Sequence, residues 1–341
     1  MSVRLDVSKA FDKVSHFALF VKLIDRSVPV NIIQVLLVWY SNSFACVNWN
    51  GLLSDFFPLK AGIRQGGTLS PVLFAVYVNS LLEKLEHSGL GCHVGSFFIG
   101  ALMYADDLLL ITPSVHALQL MINLCVNELD CLDMRINVNK SACIRFGKGL
   151  KRECSQVSVG GVPLPWSSKL NYLGITLKSS IKFSVDMHSC RAGFYRSFNS
   201  VYSRVSGANV EVIVSLVRSF CFPSLLYCIE ALDLNKALLI SLDTPLVHAF
   251  GKIFKTFDKV CLNYCMFFMN FLPPRFEYIF RKIKFLMKNL CSDNLLVLTL
   301  CKALGSNELS LLCEKFGISS EWNIVDIRDS IWNYFKVDIK L

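Results

Sequence analysis

The sequence predicts an α+β fold in two parts, a mixed region of short strands and amphipathic helices followed by a mostly helical region. Three observations carry this. Apolar residues recur at helical spacing in "SHFALFVKLIDRS" and "VNIIQVLLVWYSN", whereas "SVRLDV", "SACIRF" and "LNYLGITL" have the short, β-rich character of strands. The pairs Asn50-Gly51 and Gly160-Gly161 sit between β-prone runs, where two-residue turns belong. After Leu177 the strand-like runs give way to helical patterns with scattered Lys and Arg, which divides the chain into 1–177 and 178–341.

Taken in order, the chain opens in the strand "SVRLDV". The helix "SHFALFVKLIDRS" follows, and a second begins after Pro29. "FACVNWNGLLSDFFPL" reads as a hairpin closed at Asn50-Gly51. A loop, "KAGIRQGGT", leads into the helix "LSPVLFAVYVNSLLEKLEHSG", with Pro71 near its start and Gly89 as its stop. The apolar runs of "ALMYADDLLLI" are too short for helices and Asp favours turns, so this segment predicts two short buried strands joined by a tight polar turn. A helix over residues 114–133 comes next, then strands at "SACIRF", "SQVSV" and "LNYLGITL".

With 341 residues, 53% hydrophobic and 12% aromatic, the chain can build a sizeable core and is not a disordered segment. Mean hydropathy is +0.46. No apolar run reaches the roughly 18 uninterrupted residues of a membrane span, since "VPVNIIQVLLVWY" is broken by Pro29, Asn31 and Gln34. No membrane partner is therefore expected. A basic segment followed by an apolar one, the mark of a secretory signal, is not present at the start. The 14 cysteines are scattered singly, without C-x-x-C pairs or zinc-site spacing, and read as reduced thiols inside a cell. A net charge of +9 suits a polyanionic partner such as nucleic acid.

The chemistry concentrates at Asp106 and Asp107. Adjacent aspartates on a turn are ordinary turn residues, but here apolar flanks hold them against a covered surface. Two like charges there repel each other and lose hydration, and a divalent cation relieves both. Asp106 reads as the primary ligand and Asp107 as an auxiliary one. A third carboxylate is offered by Asp6, between a β-prone run and a helix, where a strand end can present a ligand, although taken alone the position is more commonly a helix N-cap. Spacing alone does not bring Asp6 to Asp106.

The segments "LDVSKAFDKV", "GIRQGGTLSPVLF", "YADDLLLI", "INVNKSACIRFG" and "LNYLGITL" resemble, in order, motifs A to E of reverse transcriptases. The "KAFD" and "RQG..LSP" forms resemble the non-LTR (LINE-type) retrotransposon branch. The resemblance implies a right-hand polymerase palm, an antiparallel sheet backed by helices, over 1–177 and a helical thumb-like or connection-like region over 178–341. It implies RNA-directed DNA polymerisation, in which a primer 3′-hydroxyl attacks the α-phosphate of a deoxynucleotide with RNA as template and DNA as primer. Asp6, Asp106 and Asp107 would be the catalytic metal ligands for two Mg2+ ions, with Mn2+ as an alternative.

By the same resemblance, Phe11 matches the steric gate against the nucleotide sugar, or else is core. Gln65 and Gly66 match the loop beside the new base pair, and Arg64 a phosphate contact or a solvated residue. Lys140 matches the motif D proton donor or is a surface lysine. Tyr172, Leu173 and Gly174 match the primer grip or serve sheet packing. In "RFEYIFRKIKFLMKNL", Phe276, Ile279, Phe280, Ile283 and Met287 have core spacing, and the basic residues track nucleic acid or face water. Fingers, which precede motif A in the family, are largely absent, as are an upstream endonuclease and a C-terminal Cys/His motif. The expectation is a partial chain that polymerises poorly alone. A catalytically inactive nucleic-acid-binding remnant and a group II intron maturase-like enzyme are the alternatives.

Overall fold

The computed structural model describes residues 1–150, 152–319 and 323–340. It separates into two compact units, Met1–Val185 and Asp186–Leu341. The first runs eight residues beyond Leu177, into a third strand, Ser184–Asp186, added beside a hairpin.

Unit 1 is organised around β1 (Ser2–Ser8). Helices α1 (His16–Asp25), α2 (Val30–Ser41) and α3 (Ser70–His87) follow, then β2 (Ala101–Tyr104), β3 (Asp107–Ile111), α4 (Val115–Cys131) and β4 (Arg135–Ile144). The four strands form an antiparallel sheet in the order β4-β1-β3-β2, which puts the N-terminal strand inside the sheet. The serine hydroxyls of Ser15 and Ser114 accept backbone N–H bonds at the starts of α1 and α4, satisfying donors that a helix leaves open. The strand β4 begins earlier than "SACIRF", because the polar alternation of "RINVNK" is also extended.

Alternation along β1 sorts the two faces of the sheet. Val3, Leu5 and Val7 point into the main core with Leu108 and Leu110 of β3, packed among side chains of α3 and α4 such as Leu81 and Met121. Each side chain so buried stabilises the fold by about 2 kcal/mol. Arg4 and Asp6 fall on the other face. There Leu109 and Ile144 meet Leu170, with Tyr172 and Leu177 packed alongside, all three from the hairpin β5 (Lys169–Tyr172) and β6 (Ile175–Lys178). Leu173 and Gly174 close that hairpin with φ of +47° and +79°, the left-handed pair that matches strand twist. The Asn50-Gly51 turn has the same signature, φ +50° and +86°, in a hairpin paired in two short pieces.

Unit 2 is helical, with α5 (His188–Val205), α6 (Lys236–Phe254) and α7 (Pro274–Leu290) among its longer elements. Phe276, Phe280 and Ile283 of α7 are buried, while Ile279 and Met287 are only half-buried. Lys282 turns inward too, its ammonium donating to the Leu232 carbonyl at 3.1 Å and lying 3.5 Å from Glu308. Lys284 and Lys288 are exposed. Among the described residues, the helical stretches Val210–Ala231, Lys236–Phe254 and Leu295–Phe316 have the length and composition to cross a membrane. The reading of uninterrupted apolar runs missed them because each is interrupted by polar residues and a few charges, such as Arg218, Asp243 and Lys302, that leave the average composition apolar. All 14 cysteines are free thiols.

Candidate active site

Asp6 and Asp107 are directly opposed across the antiparallel β1–β3 pair. Such partners lie about 5 Å apart at Cα, with side chains on one face. Asp6 is almost fully buried. Its amide donates to the Ser141 hydroxyl at 3.1 Å, and that hydroxyl donates to the Asn137 carbonyl at 2.7 Å. This contact sits in a break of the β1–β4 ladder, where the register jumps between Arg4↔Ala142 and Asp6↔Asn137. The extra residues 138–141 bow out of the ladder opposite Leu5, and Lys140 is exposed on that bow, next in sequence to the serine that covers Asp6.

Asp107 reaches the face through a two-residue turn. Tyr104 pairs with Asp107, leaving Ala105 and Asp106 as the turn, with Ala105 at φ +52°. A side chain in that region is strained by about 1 kcal/mol. The Asp106 carbonyl accepts the Val7 N–H at 2.9 Å, tying the turn to the end of β1, while the residue itself is exposed. The structure thus sets Asp107, the residue read as auxiliary, opposite Asp6 and leaves Asp106 at the tip. The register decides this, since side chains flanking a two-residue turn share a face and those within it do not. Among the described residues, no three His, Cys, Asp or Glu side chains converge as a metal-binding group.

Arg4 lies beside both carboxylates. Its Nε and Nη2 approach Asp107 Oδ1 at 2.7 and 2.6 Å, and Nη2 is 3.6 Å from Asp6 Oδ1. Sequence reasoning passed over it, although its place two residues before Asp6 in a strand was signal enough for a shared face. The pair already holds a cationic group between hard oxygen donors, the donor chemistry that suits Mg2+ or Mn2+. Tyr172 belongs to the same neighbourhood. Burial raises its phenol pKa, the Asp107 carboxylate adds to that, and Arg4 opposes it.

Phe11 is half-buried and stacks on Phe74 at 4.7 Å. Together they line a cavity of about 320 Å³ with Met103, Tyr104 and Ala105, directly beside the turn. The loop after the first hairpin is tied to the residues following β1: Gly62 and Ile63 donate to the Val14 and Phe11 carbonyls at 2.8 and 2.9 Å, and His16 Nε2 meets the Gly62 carbonyl at 2.7 Å. Gly62, also passed over in the sequence, has φ +91°, a conformation that strains any side chain, and an added Cβ would sit tightly at 3.1 Å from the Asp12 carbonyl oxygen. Gln65 donates to Asp12 Oδ1 at 3.3 Å, and Gly66 is exposed at φ +81°. Arg64 and Gln65, both exposed, border a second cavity of about 720 Å³ with Asp12, His16 and Tyr40.

The family model described as reverse transcriptase (RNA-dependent DNA polymerase) matches residues 1–177. The chain belongs to the reverse transcriptase family. Its sheet, with helices on one face, is therefore a polymerase palm in coarse outline. Over 184 residues it is 28% identical to the Pol polyprotein of the type-2 retrotransposable element R2DM of Drosophila melanogaster, covering 52% of this chain and 17% of that protein. Over 235 residues it is 25% identical to the RNA-directed DNA polymerase from mobile element jockey of Drosophila funebris, covering 66% and 25%. The reverse transcriptase thus spans a quarter or less of either relative, both of them in the non-LTR branch to which its motifs point. A solved apo telomerase from Candida tropicalis aligns over 91% of the chain and 52% of its own, at 15% identity and a TM-score of 0.42.

Proposed function

We propose that this chain carries the nucleotidyl-transfer centre of an RNA-directed DNA polymerase of a non-LTR retrotransposon, with unit 1 as the palm and unit 2 as a thumb-like region. The observation that carries the reading is the opposition of Asp6 and Asp107 within the stretch matched to the family. Asp6 and Asp107, joined by Asp106 from the turn, would hold the divalent cations. When bound, those ions supply charge stabilisation for the attacking and leaving oxygens of phosphoryl transfer. The protein's own part is positioning. Phe11 would close the sugar side of the cavity beside the turn, against a 2′-hydroxyl. Gln65 and Gly66 would lie along the nascent base pair and Arg64 on backbone phosphate. Lys140, on the bow next to Asp6, would donate a proton to departing pyrophosphate. The Tyr172-Leu173-Gly174 turn would hold the primer end against the carboxylate face.

A primed RNA template, deoxynucleotides and Mg2+ test the reading by primer extension. Extension that disappears in Asp6→Ala and Asp107→Ala supports it. A second reading, a nucleic-acid-binding remnant without turnover, is favoured by the separation of Asp106 from the other two carboxylates. Template-primer binding with no extension by the unsubstituted chain would select it.

A further inference from the structure

Most of the polar face of β1 and β3 is explained by the proposed chemistry, but Arg4 is not. It is half-buried, its side chain 22% exposed, and it shares the face of Asp6 because two residues separate them on a strand. Two of its N–H groups converge on one oxygen, Asp107 Oδ1, at 2.7 and 2.6 Å. A carboxylate oxygen has two lone-pair directions. Both are taken here, so this oxygen is closed to a cation while Arg4 stays in place. The same guanidinium carries its charge toward Asp6 Oδ1 at 3.6 Å, an ion pair longer than a hydrogen bond. Arg4 thus screens the repulsion of two carboxylates that the strand register forces together. Its partial exposure leaves the guanidinium a way out to solvent.

We propose that Arg4 is a built-in counter-ion of the Asp6–Asp107 pair, with which a divalent cation competes for Asp107 Oδ1, so that Arg4 sets the cation concentration at which the site fills. This rests on the reading of these carboxylates as metal ligands. Arg4 is a positioning residue in this role, and the useful readout is cation affinity in the absence of nucleotide and nucleic acid.

The experiment titrates Mn2+ into the full chain and follows the free ion by electron paramagnetic resonance, with folding checked by circular dichroism. Arg4→Met, which keeps an unbranched apolar stem and loses the charge, binds Mn2+ roughly tenfold more tightly than the unsubstituted chain, as expected when a charge-assisted pair no longer competes. Arg4→Lys, a point charge without the fork, falls between them, and it carries the test if Arg4→Met does not fold without metal. Asp107→Asn removes the site in every background. Mn2+ binding that depends on Asp107 but does not tighten when Arg4 is replaced overturns the counter-ion and leaves the metal-site reading standing. Absence of Asp107-dependent binding in all variants overturns both.

Discussion

Unit 1 sets two carboxylates, Asp6 and Asp107, against one guanidinium on the polar face of its sheet. Unit 2 arranges its ion pairs differently. Glu277 is met by both Arg281 and Arg328, at 3.2 and 4.0 Å, and Lys282 divides its protons between Glu308 and a backbone carbonyl. Arg275 lies between Asp243 and Asp338, at 3.4 and 2.9 Å. In unit 2 these charged groups are occupied in joining helices together. In unit 1 the count leaves one negative charge in excess, which is the condition under which a further cation is attracted rather than excluded. The same two-to-one count recurs at Arg275, but there the two carboxylates stand on different helices that the guanidinium ties together, whereas Asp6 and Asp107 face each other within one sheet.

The largest test of this contrast is Asp6→Asn. If the surplus charge serves catalysis, the substitution lowers primer extension by roughly 10³-fold, the loss of several kcal/mol of transition-state stabilisation, while thermal unfolding shows the chain still folded. Equal extension by the variant would place the chemistry elsewhere.

Next in size is Lys282→Met. It leaves the Leu232 carbonyl without its ammonium partner and should cost about 2 kcal/mol in urea unfolding, with template-primer binding unchanged. Weakened binding at unchanged stability would instead return this lysine to the nucleic-acid surface.

Asp243 gives a pH signature to unit 2. Burial pushes its carboxyl up to about 6, although Arg275 pulls it down through a backbone hydrogen bond and its charge. The folded carboxyl holds its proton more tightly than the unfolded one. Stability from this group is therefore present below pH 4 and declines as pH rises to about 6. Asp243→Asn should flatten that decline, worth on the order of 2 kcal/mol, in unfolding temperatures measured from pH 4 to 7. A parallel profile for both proteins would mean that Arg275 wins over burial.

Ala105→Gly is the smallest change. It releases a side chain from φ +52° and is expected to stabilise by about 0.5 kcal/mol, the relief of strain less the entropy glycine adds to the unfolded chain. Destabilisation would show that the methyl packs in the cavity shared with Phe11.

Much of unit 1 was legible because its signals are local. Alternation marked β1, Pro29 and Pro71 marked helix starts, and Asn50-Gly51 and Gly160-Gly161 marked turns. Asp106-Asp107 was readable as a tight turn between short strands, although Leu102 and Tyr104 of β2 are more exposed than apolar flanks suggest. What was not legible depends on partners far along the chain. Whether Asp106 or Asp107 meets Asp6 is a matter of register between segments a hundred residues apart. The inward turn of Lys282 needs the Leu232 carbonyl, 50 residues earlier. The strand Ser184–Asp186 that extends unit 1 past Leu177 is three residues long, too short for any periodicity to appear.

The span from Tyr104 to Asp107 works as a ruler. Because it admits two residues and no more, β3 enters the sheet with Leu108 and Leu110 toward the helices and Asp107 toward Asp6. If one residue were added and the turn still took only two, β3 would slide by one register and each of its positions would rotate to the opposite side, drawing Asp107 into hydrocarbon. In this segment, chain length specifies chemistry as firmly as residue identity does.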